Sequence, residues 1–147
     1  MKAVIFDMDG TLADVSGIRH FLDRDKGSKD FHAFHDASIN VPPNDHVVRM
    51  LREFKRDGFA VLVVTARKEM WLWHTLLWMD DNAIPHDHLF MRGNKDGRKD
   101  FDVKSDILDR ILAAGFDVQH AVDDNPAVIQ LWQERNINVT VVPGWES

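Results

Sequence analysis

The chain is 147 residues long, 44% apolar and 29% charged, which suits one folded domain with its own core and excludes a disordered segment. It has no cysteine, which excludes disulfides, thiolate nucleophiles and zinc–thiolate sites and is compatible with a reducing cytoplasm. A formal charge of −6 excludes a broadly basic nucleic-acid-binding surface but leaves room for a local basic cleft.

The first apolar run, Ala3-Val4-Ile5-Phe6, predicts a buried strand. It is too short for a signal peptide, and no run in the chain approaches the ~20 apolar residues of a membrane span, so a cytoplasmic location is expected. The strand leads into Asp7-Met8-Asp9-Gly10-Thr11. Two carboxylates two residues apart repel each other, and burial raises the cost. A divalent cation resolves the conflict, and oxygen-only ligands point to magnesium. One carboxylate is then a nucleophile and the other handles the proton of a leaving group. An Asp- and Gly-rich turn at a strand end is the plainer reading of the same residues. An EF-hand calcium loop is excluded: it needs Gly sixth and Glu twelfth, and counting from Asp7 those places hold Leu12 and Ile18.

Residues 12–43 carry Gly17, Gly27, Pro42 and Pro43 among many charges and read as an irregular, cap-like insertion with one short helix around Ile18 to Leu22. Its Phe31, His32, Phe34 and His35 either pack onto the body, the simpler role, or line a site. Asn44 or Asp45 opens a helix to about Asp57, with Val47, Val48, Leu51 and Phe54 as its apolar stripe and Gly58 as its stop. Phe59 to Val64 is a continuous apolar run, a strand buried on both faces, and it ends in Thr65-Ala66-Arg67. A helix follows from about Lys68 to Asp81. Its Trp71 and Trp78 share a face and Trp73 points elsewhere, which favours core and rim packing over a base-stacking platform.

His88 to Met91 is a short strand; His86 and His88 have no third ligand nearby, so no metal pair is expected there. Residues 92–104 hold Arg92, Lys95, Arg98, Lys99 and Lys104 against three Asp, a basic island in an acidic chain. A helix runs from about Asp102 to Ala114. The strand Val118 to Val122 ends in Asp123-Asp124, and Asn125-Pro126 is a helix start with a cap and then Pro. Asn138 to Val142 is the last strand, before Pro143-Gly144 and a short tail.

The alternation of strands and helices predicts an α/β fold: a Rossmann-like open parallel sheet with helices on both faces, in one domain over 1–147 without an internal boundary. In such a sheet the strand ends that feed helices share one edge, and ligands bind there. That edge gathers Asp7 and Asp9, Thr65 and Arg67, and Asp123 and Asp124. Four carboxylates in one crevice require a cation. Thr65 and the adjoining helix N-terminus donate to phosphate oxygens, and Lys104, at the start of its helix, neutralises nucleophile and phosphate. These parts describe phosphoryl transfer through an aspartyl-phosphate.

The arrangement resembles the haloacid dehalogenase superfamily of magnesium-dependent phosphohydrolases. Its first motif stands here as Asp7-Met8-Asp9-Gly10-Thr11-Leu12, its second as Thr65, its third as Lys104 and its fourth as Asp123-Asp124. A bacterial receiver domain is disfavoured, because there the Lys comes last and here an acidic pair follows it. The resemblance implies that Asp7 attacks phosphorus and that Asp9 protonates the leaving oxygen and then activates water. It implies magnesium on Asp7, the backbone carbonyl of Asp9, and one or both of Asp123 and Asp124, with Thr65 and Lys104 on the phosphoryl group. An Asp at position 9 favours phosphate esters over dehalogenation.

Further stretches are similar to the phosphatase domain of phage-type polynucleotide kinase/3′-phosphatase. They are Val63-Val64-Thr65-Ala66-Arg67, Met91-Arg92, Asp96-Gly97-Arg98-Lys99-Asp100 and Ala121-Val122-Asp123-Asp124. This likeness implies substrate binding by Thr11, Arg67 and Arg92, and removal of 3′-phosphates from nucleic-acid ends or nucleotides in DNA or RNA repair. The chain has Thr-Ala-Arg where Ser-Gly-Arg is the family form. It has no Gly-x-x-x-x-Gly-Lys-[Ser/Thr] loop, so a separate kinase or ligase is the expected partner. The alternative is a phosphatase of small monoesters such as nucleoside 5′-phosphates or sugar phosphates. A non-catalytic magnesium- and phosphate-binding module is the third reading, disfavoured because every catalytic position is filled.

Overall fold

The structure, a computed structural model, describes residues 1–22 and 30–144. Five strands form one parallel sheet: β1 (Lys2–Phe6), β2 (Ala60–Lys68), β3 (His88–Arg92), β4 (Asp117–Asp123) and β5 (Asn138–Val141), in the order β3-β2-β1-β4-β5. The helices are α1 (Phe31–Ala37), α2 (Asp45–Arg56), α3 (Leu72–Asp81), α4 (Asp100–Ala113) and α5 (Pro126–Glu134). This is the predicted α/β architecture with a small cap.

Side-chain alternation along the strands builds two cores. Val4, Phe6, Val61 and Val63 face one side, where Val47, Val48 and Leu51 of α2 and Trp78 and Met79 of α3 cover them. Ala3, Ile5, Leu62 and Val64 face the other, under Ile107 and Ile111 of α4 and Val128 and Trp132 of α5. A strand covered on both faces needs an apolar residue at nearly every position, which is why these strands read as unbroken runs. The chain adds β2 and β3 on one side of β1, then crosses back to add β4 and β5 on the other. The carboxyl end of β1 is therefore the switch point of the sheet, where a crevice opens between diverging connections.

The structure departs from the sequence expectations in three places. β2 does not stop at Val64: it continues to Lys68, which pairs with Arg92 after a shift in register. The helix expected from Lys68 consequently starts at Leu72, after a 3-10 turn over Glu69–Trp71. Ladder pairing with β3 holds this stretch extended, and no local propensity encodes that neighbour. The described residues of the insertion hold more regular structure than expected. A 3-10 helix over Ser16–Leu22 lies where a short helix was predicted, but α1 and a 3-10 turn over Ser38–Asn40 follow. Asp30 caps α1 by accepting the Ala33 N–H at 2.9 Å, and Phe34 packs into the first core. Finally, α4 begins at Asp100, a half-turn earlier than predicted. Gly27 and the tail beyond Gly144 lie outside the described residues.

The insertion leaves and re-enters at one point. The Asp14 N–H donates to the Pro42 carbonyl and the Asn44 N–H to the Leu12 carbonyl, each at 2.8 Å. Trp71 and Trp78 are buried and Trp73 is exposed, the predicted mixture of core and rim. Among the described residues, no helix is long and apolar enough to cross a membrane.

Candidate active site

Backbone pairing brings the first and fourth motifs together. The Asp7 N–H donates to the Val122 carbonyl at 3.0 Å, so the β1–β4 ladder continues past β1 and sets Asp7 beside Asp123. Asp123 Oδ1 then accepts the N–H groups of Asp124 at 2.9 Å and Asn125 at 3.1 Å, closing a turn into α5. The predicted cap is present: Asn125 accepts the Ala127 N–H, with Pro126 in the first turn. Asp7, Asp123 and Asp124 each offer a carboxylate oxygen within 4.8 Å of the others.

Gly10 makes this approach sterically feasible. Its φ is +83°, and a Cβ there would stand 2.1 Å from Asp124 Oδ2. The loop after β1 therefore passes the fourth motif only with glycine at this position.

Lys104 enters from the second turn of α4, not from its first residues. Its Nζ donates to Asp7 Oδ1 at 2.8 Å and to Asp123 Oδ2 at 3.1 Å, in a site where the lysine is 2% exposed. Thr11 donates its hydroxyl to Asp7 Oδ2 at 2.9 Å, with Asp124 Oδ1 a longer second acceptor at 3.4 Å. Trp132 Nε1–H donates to Asp123 Oδ2 at 3.3 Å. Asp123 is thus held from four sides, while Asp7 and Asp124 line an open cavity of about 630 Å³.

The charges of the cluster do not cancel. Burial pushes the Asp7 carboxyl well above the usual carboxylate range, and the Asp123 charge adds to it against the pull of Lys104. Burial also raises Asp124, with Asp123 adding to it and Arg19 among the groups opposing. Lys104 resists its own burial because Asp123 and Asp7 hold its proton, so it stays cationic. Three carboxylates against Lys104 and Arg19 leave an excess of negative charge on an all-oxygen donor set. That set fits a hard divalent cation such as magnesium.

Asp9 has the opposite environment. Its carboxylate lies outside the three-carboxylate cluster and accepts Arg67 Nε–H at 2.9 Å, with a second bond from the guanidinium to its other oxygen. Burial works to raise Asp9, but the Arg67 charge and hydrogen bonds outweigh it and hold the carboxyl below its ordinary value. Arg67 is 2% exposed and is fixed by a third bond to Thr75 Oγ1 at 3.0 Å. Thr65 accepts the Arg67 N–H at 3.2 Å. The strand itself presents Thr65; the helix end expected beside it begins only at Leu72.

Asp7, Asp9, Thr65, Arg67, Arg92 and Lys104 line the same cavity, together with Asp124, while Thr11 and Asp123 are buried behind it. Arg92 reaches this wall with four hydrogen bonds already made. Nε–H bonds the Ala66 carbonyl at 2.8 Å, one terminal nitrogen bonds the Asp96 and Arg98 carbonyls, and the other bonds Asp100 at 2.7 Å. Arg92 clamps the loop between β3 and α4.

Sequence reasoning gave Arg19 and Asp100 no role of their own, and it left His35 between packing onto the body and lining a site. Arg19 stretches from the insertion to Asp124 Oδ2 at 3.3 Å; nothing in its spacing distinguishes it from the other charges around it. Asp100 holds Arg92, and its place in the Asp-x-Arg-Lys-Asp element was the available signal. His35 rests on Trp71 at the cavity wall, with ring centroids 5.4 Å apart. Burial lowers its imidazole to about 4 despite the nearby Asp9 charge, and its buried Nδ1 finds no hydrogen-bond partner among the described residues.

The family described as "Polynucleotide kinase PNKP phosphatase domain" matches residues 1–144. Among solved structures, a chain of the Pnkp1/Rnl/Hen1 complex superposes with a TM-score of 0.82 at 26% identity, over 96% of this chain and 45% of that one. The present chain therefore spans less than half the length of that relative. The class C acid phosphatase from Bacillus anthracis, with tungstate bound, superposes with a TM-score of 0.74 at 12% identity, over 97% of this chain and 66% of that one, a likeness of fold. With the motif carboxylates, threonine and lysine converging on one sheet edge and the family match running nearly end to end, the chain belongs to the polynucleotide kinase PNKP phosphatase domain family, within the haloacid dehalogenase superfamily of phosphatases.

Proposed function

We propose that this protein is a magnesium-dependent phosphatase that removes 3′-phosphates from nucleic-acid ends or nucleotides through a phosphorylated Asp7. The observation that carries the reading is the placement of Asp7: it is buried between Lys104 and Thr11, beside Asp124, at the floor of a cavity that also holds Arg67. Asp7, Asp124 and the backbone carbonyl of Asp9 are the proposed magnesium ligands, with Asp123 adjoining and fixing Lys104. Bound magnesium supplies charge stabilisation to the phosphoryl oxygens and to the crowded carboxylates.

An Asp7 oxygen attacks phosphorus and the ester P–O bond breaks, the leaving oxygen taking its proton from Asp9. Water then attacks the acyl phosphate, Asp9 takes the water's proton, and phosphate leaves with Asp7 restored. Thr65 accepts a backbone N–H, which leaves its own hydroxyl proton for a phosphoryl oxygen. Lys104 stabilises the oxygens that gain charge. Asp9 has to be protonated for the first step, yet Arg67 holds it ionised. An arriving phosphate dianion competes for Arg67. Once that pairing loosens, the burial that works to raise the Asp9 carboxyl is less opposed, which favours its acid form. Arg67 thus serves as both phosphate ligand and timer of the general acid. Arg92 contributes to substrate binding through the loop it clamps.

The chain acts as one phosphatase domain, with residues 12–43 as a short cap, in the cytoplasm. The likeness at 25% identity to a chain of the Pnkp1/Rnl/Hen1 RNA repair complex supports nucleic-acid ends as substrate and a kinase or ligase as partner. A phosphate-release panel in magnesium tests the substrate: 3′-phosphorylated oligonucleotides, 3′- and 5′-mononucleotides, and sugar phosphates. The expected order puts 3′-phosphates first by at least tenfold in kcat/KM. Faster turnover of 5′-mononucleotides or sugar phosphates would instead assign the site to small monoesters.

A further inference from the structure

At about 630 Å³ the cavity has room for a drug-sized ligand, well beyond a single phosphoryl group. It is polar at Asp7, Arg67 and Lys104 and apolar at Phe31 and Met70. Phe31 opens α1, lines the cavity and is 54% exposed. Met70 sits in the turn after β2, lines the same cavity and is 58% exposed.

The two elements meet through ring contacts, one edge-on and one tilted. The His32 ring lies 5.1 Å from Trp71 at 70°, and His35 lies 5.4 Å from it at 39°. Phe31 and Met70 are the chain neighbours of His32 and Trp71, so this contact fixes the two elements that carry them, and both side chains line the cavity that Asp7 lines. Lys68 and Arg98 line it too. A ligand reaching the floor therefore meets cations suited to phosphate and an aromatic–thioether surface suited to a flat, apolar face.

We infer that Phe31 and Met70 form a base-binding subsite, which takes the terminal nucleobase of a 3′-phosphorylated end while its phosphoryl group lies on Asp7. This inference rests on the 3′-phosphatase reading above. Every base has a π-face, so a phenyl ring and a polarizable thioether accept any of the four. The subsite therefore senses the presence of a base rather than its identity.

The test compares kcat/KM for two short oligonucleotides, in deoxyribose and ribose series. One ends in an ordinary nucleotide 3′-phosphate, the other in an abasic sugar 3′-phosphate with the same sugar and charges. Wild-type protein is expected to prefer the base-bearing end by about tenfold, the scale of one base stacked on an aromatic side chain. In the double variant Phe31→Ala, Met70→Ala the ratio is expected to fall toward one. Both side chains are more than half exposed, and a thermal melt verifies that the variant is folded. Equal turnover of the two ends by wild-type protein overturns the subsite and leaves the 3′-phosphatase reading standing, as does a preference that survives in the double variant. Hydrolysis of neither end, with turnover of a 5′-mononucleotide or sugar phosphate, overturns both.

Discussion

Gly10 shows how a single residue sets the distance between two motifs. Gly10, Gly58 and Gly115 each have a positive φ but differ in what surrounds them: at Gly10 a Cβ meets Asp124, whereas at Gly58 and Gly115 it meets nothing within 4 Å. Alanine at any of the three carries the left-handed backbone cost of about 1–2 kcal/mol. Only Gly10→Ala also displaces a carboxylate from the cluster. The expected outcome is a lower melting temperature in all three variants, and at least a tenfold loss of magnesium-dependent turnover in Gly10→Ala alone. Melts and steady-state kinetics on the three proteins check this; equal turnover in all three would mean that Asp124 has no demanding position. The same scale shows what a sequence hides. Asp7, Asp9, Asp123 and Asp124 are legible as acidic pairs after apolar runs, but their opposite environments are not. Arg67 pairs with Asp9 across 58 positions of chain, and Lys104 chooses Asp7 across 97.

Among the elements, β1 and β2 declared themselves through burial on both faces, α2 through its apolar stripe and α5 through its Asn125 cap. The Lys68 boundary did not, because a neighbouring strand extends β2, and α1 did not, because its seven residues carry little pattern beyond the Asp30 cap. The start of β3 illustrates an element fixed by one side chain. Asp87 accepts the Val61 N–H at 2.7 Å and the Lys55 ammonium at 2.6 Å, tying β2 and α2 to the entry of β3. Slight burial works to raise its carboxyl, but the bonds from Lys55 and Val61 outweigh it and hold the folded pKa below the ordinary value. A depressed folded pKa stabilises the protein above the unfolded pKa, and that contribution fades as pH falls through the folded one. Asp87→Asn is therefore expected to lose about 1 kcal/mol at pH 7, with the gap to wild type closing on acidification below the usual carboxylate range. Urea unfolding at a series of pH values reads this directly; a gap constant with pH would contradict the assignment.

At the scale of the whole molecule, strand order does the work that no local signal does. Alternating strands and helices foretold a parallel sheet with functional ends along one edge, and β3-β2-β1-β4-β5 delivers it by placing β1 between β2 and β4. The first motif thus stands between the second and the fourth, and α4, packed on the second core, brings the third in from its face of the sheet. In the proposed function this edge makes Asp7 a nucleophile. The most direct test is phosphate release in magnesium by Asp7→Asn, which keeps the shape of the side chain and removes its attacking charge. Asp7→Asn is expected to lose on the order of 10⁴-fold or more in kcat, in line with removal of a catalytic nucleophile, in a protein whose circular dichroism matches wild type. Turnover within tenfold of wild type would contradict it.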